Sequence, residues 1–532
     1  MFDILIRQAR IVDGSGRPAF RGDVGIRAGR IEAVGDLGDA PAEQTLDAGR
    51  YYLAPGFIDM HSHSDLSLLQ DPRGQSKVRQ GVTTELIGQC GLSPFPLAGH
   101  YPAIPRSTME GAYTAVVEEV DWHDLAGYAA RLERQGIALN VAPLVGHGVV
   151  RAAAMGYENR PPTSDELAVM RRLVAEAMEQ GAFGLSTGLT LSPGCFAGTD
   201  EVVELAKVAA AYGGMYDTHG RFWAGWHFKG AEEAVEIGRR AGIRVQIAHL
   251  VILDPRYWGQ AAELAGILER ACAVGVDVAY DVYPYIAAGS ALSQFLPLWV
   301  QEGGTEAMLA RLRHPPTRAR VLAELEQGWF QGLPWKWDQI IVASPGSKGD
   351  PAWAGRPIRE LADAWGVEPK EALLRLIDET EDGVSAVMFN RTEEDMQFFL
   401  RHPLGLVGSD GCAISADGPL SHVKVHPRYY GAFPRVLGRY VRERGLLSVE
   451  EAVAKMSGRP AERLGLADRG FIRPGYAADL VLFDMETVRD RATFEQPHQY
   501  PEGIPYVMVN GQWVIYAGEH TGALPGRVLR RN

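Results

Sequence analysis

The sequence predicts an α/β protein, a (β/α)8 TIM barrel with a small β-domain built from both chain termini and an insertion capping the barrel mouth. Three observations predict it. Both ends of the 532-residue chain read as short strands, and the middle alternates apolar strands with stretches of helical period. Polar residues of metal-binding type fall at the C-terminal ends of those strands, where barrel active sites are built.

The first segment, 1–55, reads as β-structure. Phe2, Ile4 and Ile6 alternate, and a turn at Ala28-Gly29 joins Val24-Ile26 to Ile31-Val34. The segment 466–532 repeats the pattern, with ADLVLFD from Ala478 to Asp484, then two strands joined by Asn510-Gly511, a two-residue hairpin signal. Two strand-rich ends around a long middle predict that the termini pair into one small domain.

The middle, 56–465, opens on GFIDMHSHSD, Gly56 to Asp65. The strands that follow are VTTELIGQCG to Gly91, IALNVAPLVGHG with His147, Phe183 to Leu189, MYDTHG with His219, VQIAHL with His249, Asp277 to Tyr285, and GLVGSDG with Asp410. Between them Leu167, Met170, Val174 and Ala177 form one face of a helix from Ser164 to Gly181, and Val202, Leu205, Ala209 and Tyr212 do the same in the next. One connection, around 286–400, is too long for a single helix. Its Trp299, Trp329, Trp335 and Trp337 suggest a unit over the site, although tryptophans more often serve as plain core.

Composition narrows the function. Apolar and charged fractions of 46% and 22% are those of an ordinary globular protein. The net charge of -13 argues against a nucleic-acid partner. Four cysteines are too few for a disulfide scaffold and fit a reducing, cytoplasmic setting. No apolar run reaches the length of a membrane span, and the N-terminus lacks a signal peptide's apolar core. A small-molecule substrate is the expected partner; oligomeric state is not legible.

In a strand, residues two apart point to one side, so His61 and His63 present both imidazoles in one direction. Alone the pair is weak. Together with Cys90, His219, His249 and Asp410, each at a strand's C-terminal end, it converges on one barrel mouth. Imidazole, thiolate and carboxylate in that mixture favour zinc over calcium or magnesium. Asp59 either orients one imidazole or serves strand-end hydrogen bonding.

GFIDMHSHSD, QGVTTELIGQCGLSPFP, GLSTGL, YDTHGR, DVYPY, GSDG, HPRYYGAFPRVLGRYVRE and RGFIRPGYAADLVLFD resemble the amidohydrolase superfamily over nearly the whole chain, and most closely its D-aminoacylases, the N-acyl-D-amino-acid deacylases. The resemblance implies a β-sandwich from the two termini and a zinc barrel. It implies a tightly bound zinc on Cys90, His219 and His249, a second, weaker position at His61 and His63, and Asp410 as acid/base. Many superfamily members carry a bridging carboxylated lysine on strand four. FGLSTGL has no Lys, and the resemblance to the D-aminoacylases implies that Cys90 takes that bridging role.

An amide carbonyl is a poor electrophile. Zinc polarises it and lowers the pKa of bound water to about 7. Asp410 then moves the proton from water to the departing amine. The same resemblance assigns the substrate carboxylate to Arg428, with Tyr283 and Ser290 beside it. Two positions depart from the pattern. Val251 stands where a Lys is expected and Leu191 where a Tyr is expected, which leaves Arg428 as the only charged anchor. Cyclic amides, or amides and esters without a free carboxylate, are therefore the alternative substrates. A catalytically silent binding relative is the third reading, and the filled ligand set speaks against it.

Overall fold

The structure is a computed structural model and describes residues 1–330 and 332–531. Eight parallel strands close a barrel: Phe57–Asp59, Val82–Ile87, Asn140–Pro143 continued by Val145–Gly146, Gly184–Gly188, Met215–His219, Arg244–Ile247, Val278–Val282 and Gly405–Val407. The ring shuts where the Met60 N–H donates to Val407 O at 3.3 Å and the Asp410 N–H donates to His61 O at 2.8 Å. Strands buried on both faces explain the near-continuous apolar runs.

The crossover helices follow the 3.6-residue period. Ser164–Glu179 begins on a capping box, with Thr163 and Glu166 each accepting the other's backbone N–H, and it buries Met170, Leu173, Val174 and Ala177. Thr199–Ala211 buries Val202, Leu205 and Ala209 in the same manner.

The terminal segments share a nine-stranded sheet. Tyr52–Pro55 pairs antiparallel with Leu480–Phe483 over Leu480↔Pro55 to Phe483↔Tyr52. Ile4, Ile6, Val24, Ile26, Leu53, Leu480, Leu482 and Met508 form its apolar interior, giving the β-sandwich. The two hairpin tips pack on one another. Ala28-Gly29 and Asn510-Gly511 all have positive φ, as type I′ turns require. A Cβ on Gly511 would lie 2.3 Å from the Gly29 Cα, so only glycine permits this contact. The chain's last stretch leaves the sandwich and lies along the third barrel strand, where the Leu529 N–H donates to Val141 O at 2.8 Å.

The long connection folds as its own unit. Ala287–Ala291, Ser385–Phe389 and Ile340–Ser344 form an antiparallel sheet in that order, backed by four helices. Its core is separate from the barrel's and includes Phe295, Leu312, Trp329, Val342, Leu361 and Leu376. The unit ends at Phe389, earlier than its length in sequence indicates. Helix Glu393–Arg401 is the ordinary crossover into the eighth barrel strand.

Candidate active site

Strand geometry brings the polar strand ends together. Cys90, His249 and Asp410 follow their strands with φ of 56°, 36° and 52°. Left-handed backbone at a non-glycine residue costs roughly 1–2 kcal/mol, so three such residues in one place mark a site that the surrounding structure holds in strain. The turn aims each side chain across the barrel mouth rather than along the strand. Gly188 makes room for it: a Cβ there would sit 2.2 Å from Cys90 O.

The Cys90 sulfur is ringed by imidazoles. It lies 3.4 Å from His61 Nε2, 3.6 Å from His249 Nε2 and 3.7 Å from His219 Nδ1. Two donor groups share it, His61–His63–Cys90 and Cys90–His219–His249, each with its donor atoms within 4.8 Å of one another. A tetrahedral zinc, with Zn–S about 2.3 Å and Zn–N about 2.0–2.1 Å, holds its sulfur and nitrogen donors about 3.6 Å apart. The donor set fits that ion in chemistry and in spacing.

Electrostatics agree at three of the four imidazoles; at His61, against the effect of burial, the Cys90 sulfur and the Asp281 and Asp410 carboxylates hold the ring well above the ordinary imidazole range. Burial pushes His219 down to about 4 and holds His63 and His249 below the ordinary imidazole range, leaving neutral rings with a free lone pair. Burial also pushes the Cys90 thiol up to about 11. A cation bound in the site would supply the charge that keeps this sulfur ionised at neutral pH. His219 Nε2 lies 2.7 Å from Thr190 Oγ1, which fixes the ring with Nδ1 toward the sulfur.

Asp410 faces two ways. Oδ1 lies 3.3 Å from His63 Nε2 and 3.6 Å from His61 Nε2, and Oδ2 forms an ion pair with Arg428 Nη1 at 2.8 Å. Burial alone raises a carboxyl's pKa; here the Arg428 guanidinium and the neighbouring imidazoles overcome it and hold Asp410 well below the usual range.

The sequence did not show two residues that set the imidazoles in place. Asp281, an acid inside an apolar strand, accepts the His249 backbone N–H at 2.9 Å and lies 3.5 Å from His61 Nδ1. Lys77 is fully buried beneath the site. Its Nζ donates to Asp59 Oδ2 at 2.8 Å, Ser409 Oγ at 2.7 Å and Gly411 O at 3.1 Å, and pairs with Glu85 at 2.7 Å. Asp59 resolves in favour of strand-end bonding, since Oδ1 accepts the His61 and Ser409 N–H groups at 3.1 and 2.8 Å. The cluster ties the first strand to the eighth. Breaking a buried pair of this kind typically costs about 3–5 kcal/mol.

The substrate-side candidates line one cavity with the donors: Tyr283, Ser290 and Arg428, together with Val251 and Leu191. Ser290 sits on the inserted unit, on strand Ala287–Ala291. Arg428 lines the cavity as the sequence expects, with its guanidinium paired with Asp410 at 2.8 Å and 4.6 Å from the Tyr283 ring. It is not the only cation there. Arg391 lines the same cavity, also 4.6 Å from the Tyr283 ring. Its position between the inserted unit and a crossover helix gave no signal in sequence.

The amidohydrolase family model matches residues 44–324 and 391–515. An N-acyl-D-glutamate deacylase and a D-aminoacylase of Alcaligenes xylosoxydans xylosoxydans are each 37% identical to the chain, covering 100% of it and 97% and 98% of their own length. The crystal structure of N-acyl-D-glutamate deacylase from Bordetella bronchiseptica, complexed with zinc and a phosphonate that mimics the tetrahedral intermediate, superposes with a TM-score of 0.84 at 35% identity and 99% coverage of both chains. A D-aminoacylase crystal structure gives a TM-score of 0.84 at 34% identity over 100% of both. With its termini, barrel and cap all matched by these proteins, the chain belongs to the amidohydrolase family and, within it, to the D-aminoacylase subfamily.

Proposed function

We propose that this protein is a zinc-dependent amidohydrolase that cleaves the amide bond of N-acyl-D-amino acids in the cytoplasm. One observation carries the reading: a buried thiol ringed by three imidazole nitrogens at zinc-ligand spacing, with an ionised carboxylate 3.3 Å from His63. The full-length likeness to deacylases of N-acyl-D-amino acids supports the substrate class. Cys90, Cys195, Cys272 and Cys412 are all free thiols, which fits a reducing compartment. No helix among the described residues is long and apolar enough to cross a membrane.

Cys90, His219 and His249 would hold the tight zinc, and His61 and His63, sharing Cys90, a weaker second position. Zinc bound there supplies the Lewis acid that polarises the amide carbonyl and makes water a competent nucleophile at neutral pH. The chain's residues do the rest. Asp410 accepts the proton of the attacking water on Oδ1, its oxygen turned toward the imidazoles, and returns it to the departing amine nitrogen. Arg428 holds Oδ2, which fixes the carboxylate's orientation and keeps it ionised between turnovers. Thr190 and Asp281 keep the His219 and His61 rings in position. Phe222, Val251, Val387 and Met388 give the cavity an apolar wall suited to an acyl chain or side chain and exclude water from the reacting amide.

The test is a panel of N-acyl-D- and N-acyl-L-amino acids, esters and cyclic amides on zinc-loaded enzyme. Turnover of an N-acyl-D-amino acid is expected, lost on chelation and restored by zinc, with the L-enantiomer slower by at least about 100-fold, or roughly 2.7 kcal/mol. Fully zinc-loaded enzyme that turns over cyclic amides and no N-acyl-D-amino acid would overturn the reading.

A further inference from the structure

Resting on the function just proposed, we infer that a second cavity beside the active site receives a basic group of the substrate, an amine held by the Asp382 carboxylate. This cavity, of about 130 Å³, lies between the barrel and the inserted unit. One water needs only about 10–15 Å³, so there is room for several non-hydrogen atoms. Leu92, Leu191, Ala291 and Gln294 line it and the metal-site cavity alike, so the two adjoin and a substrate on the metal can extend from one into the other. Ser107, on the barrel's helix Arg106–Gly111, and Thr305, on the inserted unit, meet on its wall with Oγ and Oγ1 3.1 Å apart.

Asp382 is the one charged side chain among the described residues that line this cavity. Its Oδ1 is buried without a hydrogen-bond partner, and Ser293 is the carboxyl's one side-chain donor among the described residues. A buried carboxylate without a counter-ion is costly. Burial pushes Asp382 up to about 7, although the Ser293 hydroxyl opposes the shift. An entering ammonium offsets that cost through a charge-assisted hydrogen bond to Oδ1, which an acidic or apolar group cannot make. A metal ion fits less well, because a hard cation needs several oxygen ligands and no second carboxylate lines the cavity. The backbone aims the carboxyl at some strain. Glu381 and Asp382 have φ of 50° and 67°, and the Asp382 N–H donates back to Ile377 O at 2.9 Å as helix Pro369–Glu379 ends.

The amine can belong to the amino acid's side chain or to the acyl chain, and two substrate pairs separate these sources. The first is Nα-acetyl-D-lysine against N-acetyl-D-2-aminoheptanoate, and the second is N-(4-aminobutanoyl)-D-methionine against N-pentanoyl-D-methionine. In each pair a methyl replaces the ammonium. The parent should favour the amine in one pair by at least about tenfold in kcat/KM. In Asp382→Asn that preference should shrink to within about threefold. Asparagine tolerates left-handed backbone, and equal Tm and zinc content check that the variant folds and loads. The pair that shows the effect identifies which end of the substrate enters the cavity. Calorimetry with analogues of all four, a methylene replacing the amide nitrogen, reads the same preference as affinity and needs no turnover. Absent turnover on all four, with an affinity preference that Asp382→Asn abolishes, counts against the proposed reaction and for Asp382. A parent without the preference in either pair, by rate and by affinity, overturns the inference, as does a preference that survives in Asp382→Asn.

Discussion

Asp410→Asn is expected to keep its zinc and to lose between about 100- and 10,000-fold in kcat. The amide is nearly isosteric with the carboxylate, and its oxygen can still accept from Arg428, so the local packing survives. What it cannot do is take up a proton. In the structure Oδ2 is committed to Arg428 and Oδ1 is turned toward His63 and His61, so a single oxygen faces the place where water must be deprotonated. Steady-state rates with elemental analysis on the same preparation decide the matter. A zinc-loaded variant within about threefold of the parent would remove Asp410 from the chemistry.

Cys90→Ala should lose the tight zinc and activity together, and added zinc should not restore the rate. Both donor groups pass through this sulfur, so its removal leaves each with imidazoles alone. Backbone strain complicates the variant, because Cys90 has φ 56°. Cys90→Gly separates the two effects. Glycine adopts that φ without penalty, so a protein at least as stable as the alanine variant and equally metal-poor assigns the loss to the ligand. Stoichiometric zinc retained in either variant would remove Cys90 from the metal site.

Much of the molecule was legible because its signals are local. Alternation over two residues put His61 and His63 on one side of a strand, and Asn510-Gly511 and Ala28-Gly29 announced the hairpins that now pack tip to tip. Strand-end residues of ligand type, read together, picked out the atoms that surround Cys90. The pairings that tune the site were not legible, because they join distant stretches. Lys77 meets Ser409 across 332 residues, and no pattern near Lys77 announces it. Arg428 reads in sequence as a free anchor, and only the closure of the barrel's last strand sets Asp410 against it. Arg391 was hidden for a third reason: it stands between the inserted unit and a crossover helix, and a sequence shows charges without showing which of them share a cavity.

The zinc site stands or falls on sulfur in the metal's shell. X-ray absorption at the zinc edge of the purified enzyme should show one sulfur donor at about 2.3 Å with nitrogen and oxygen donors at about 2.0–2.2 Å. A shell of nitrogen and oxygen alone in the parent enzyme would contradict it.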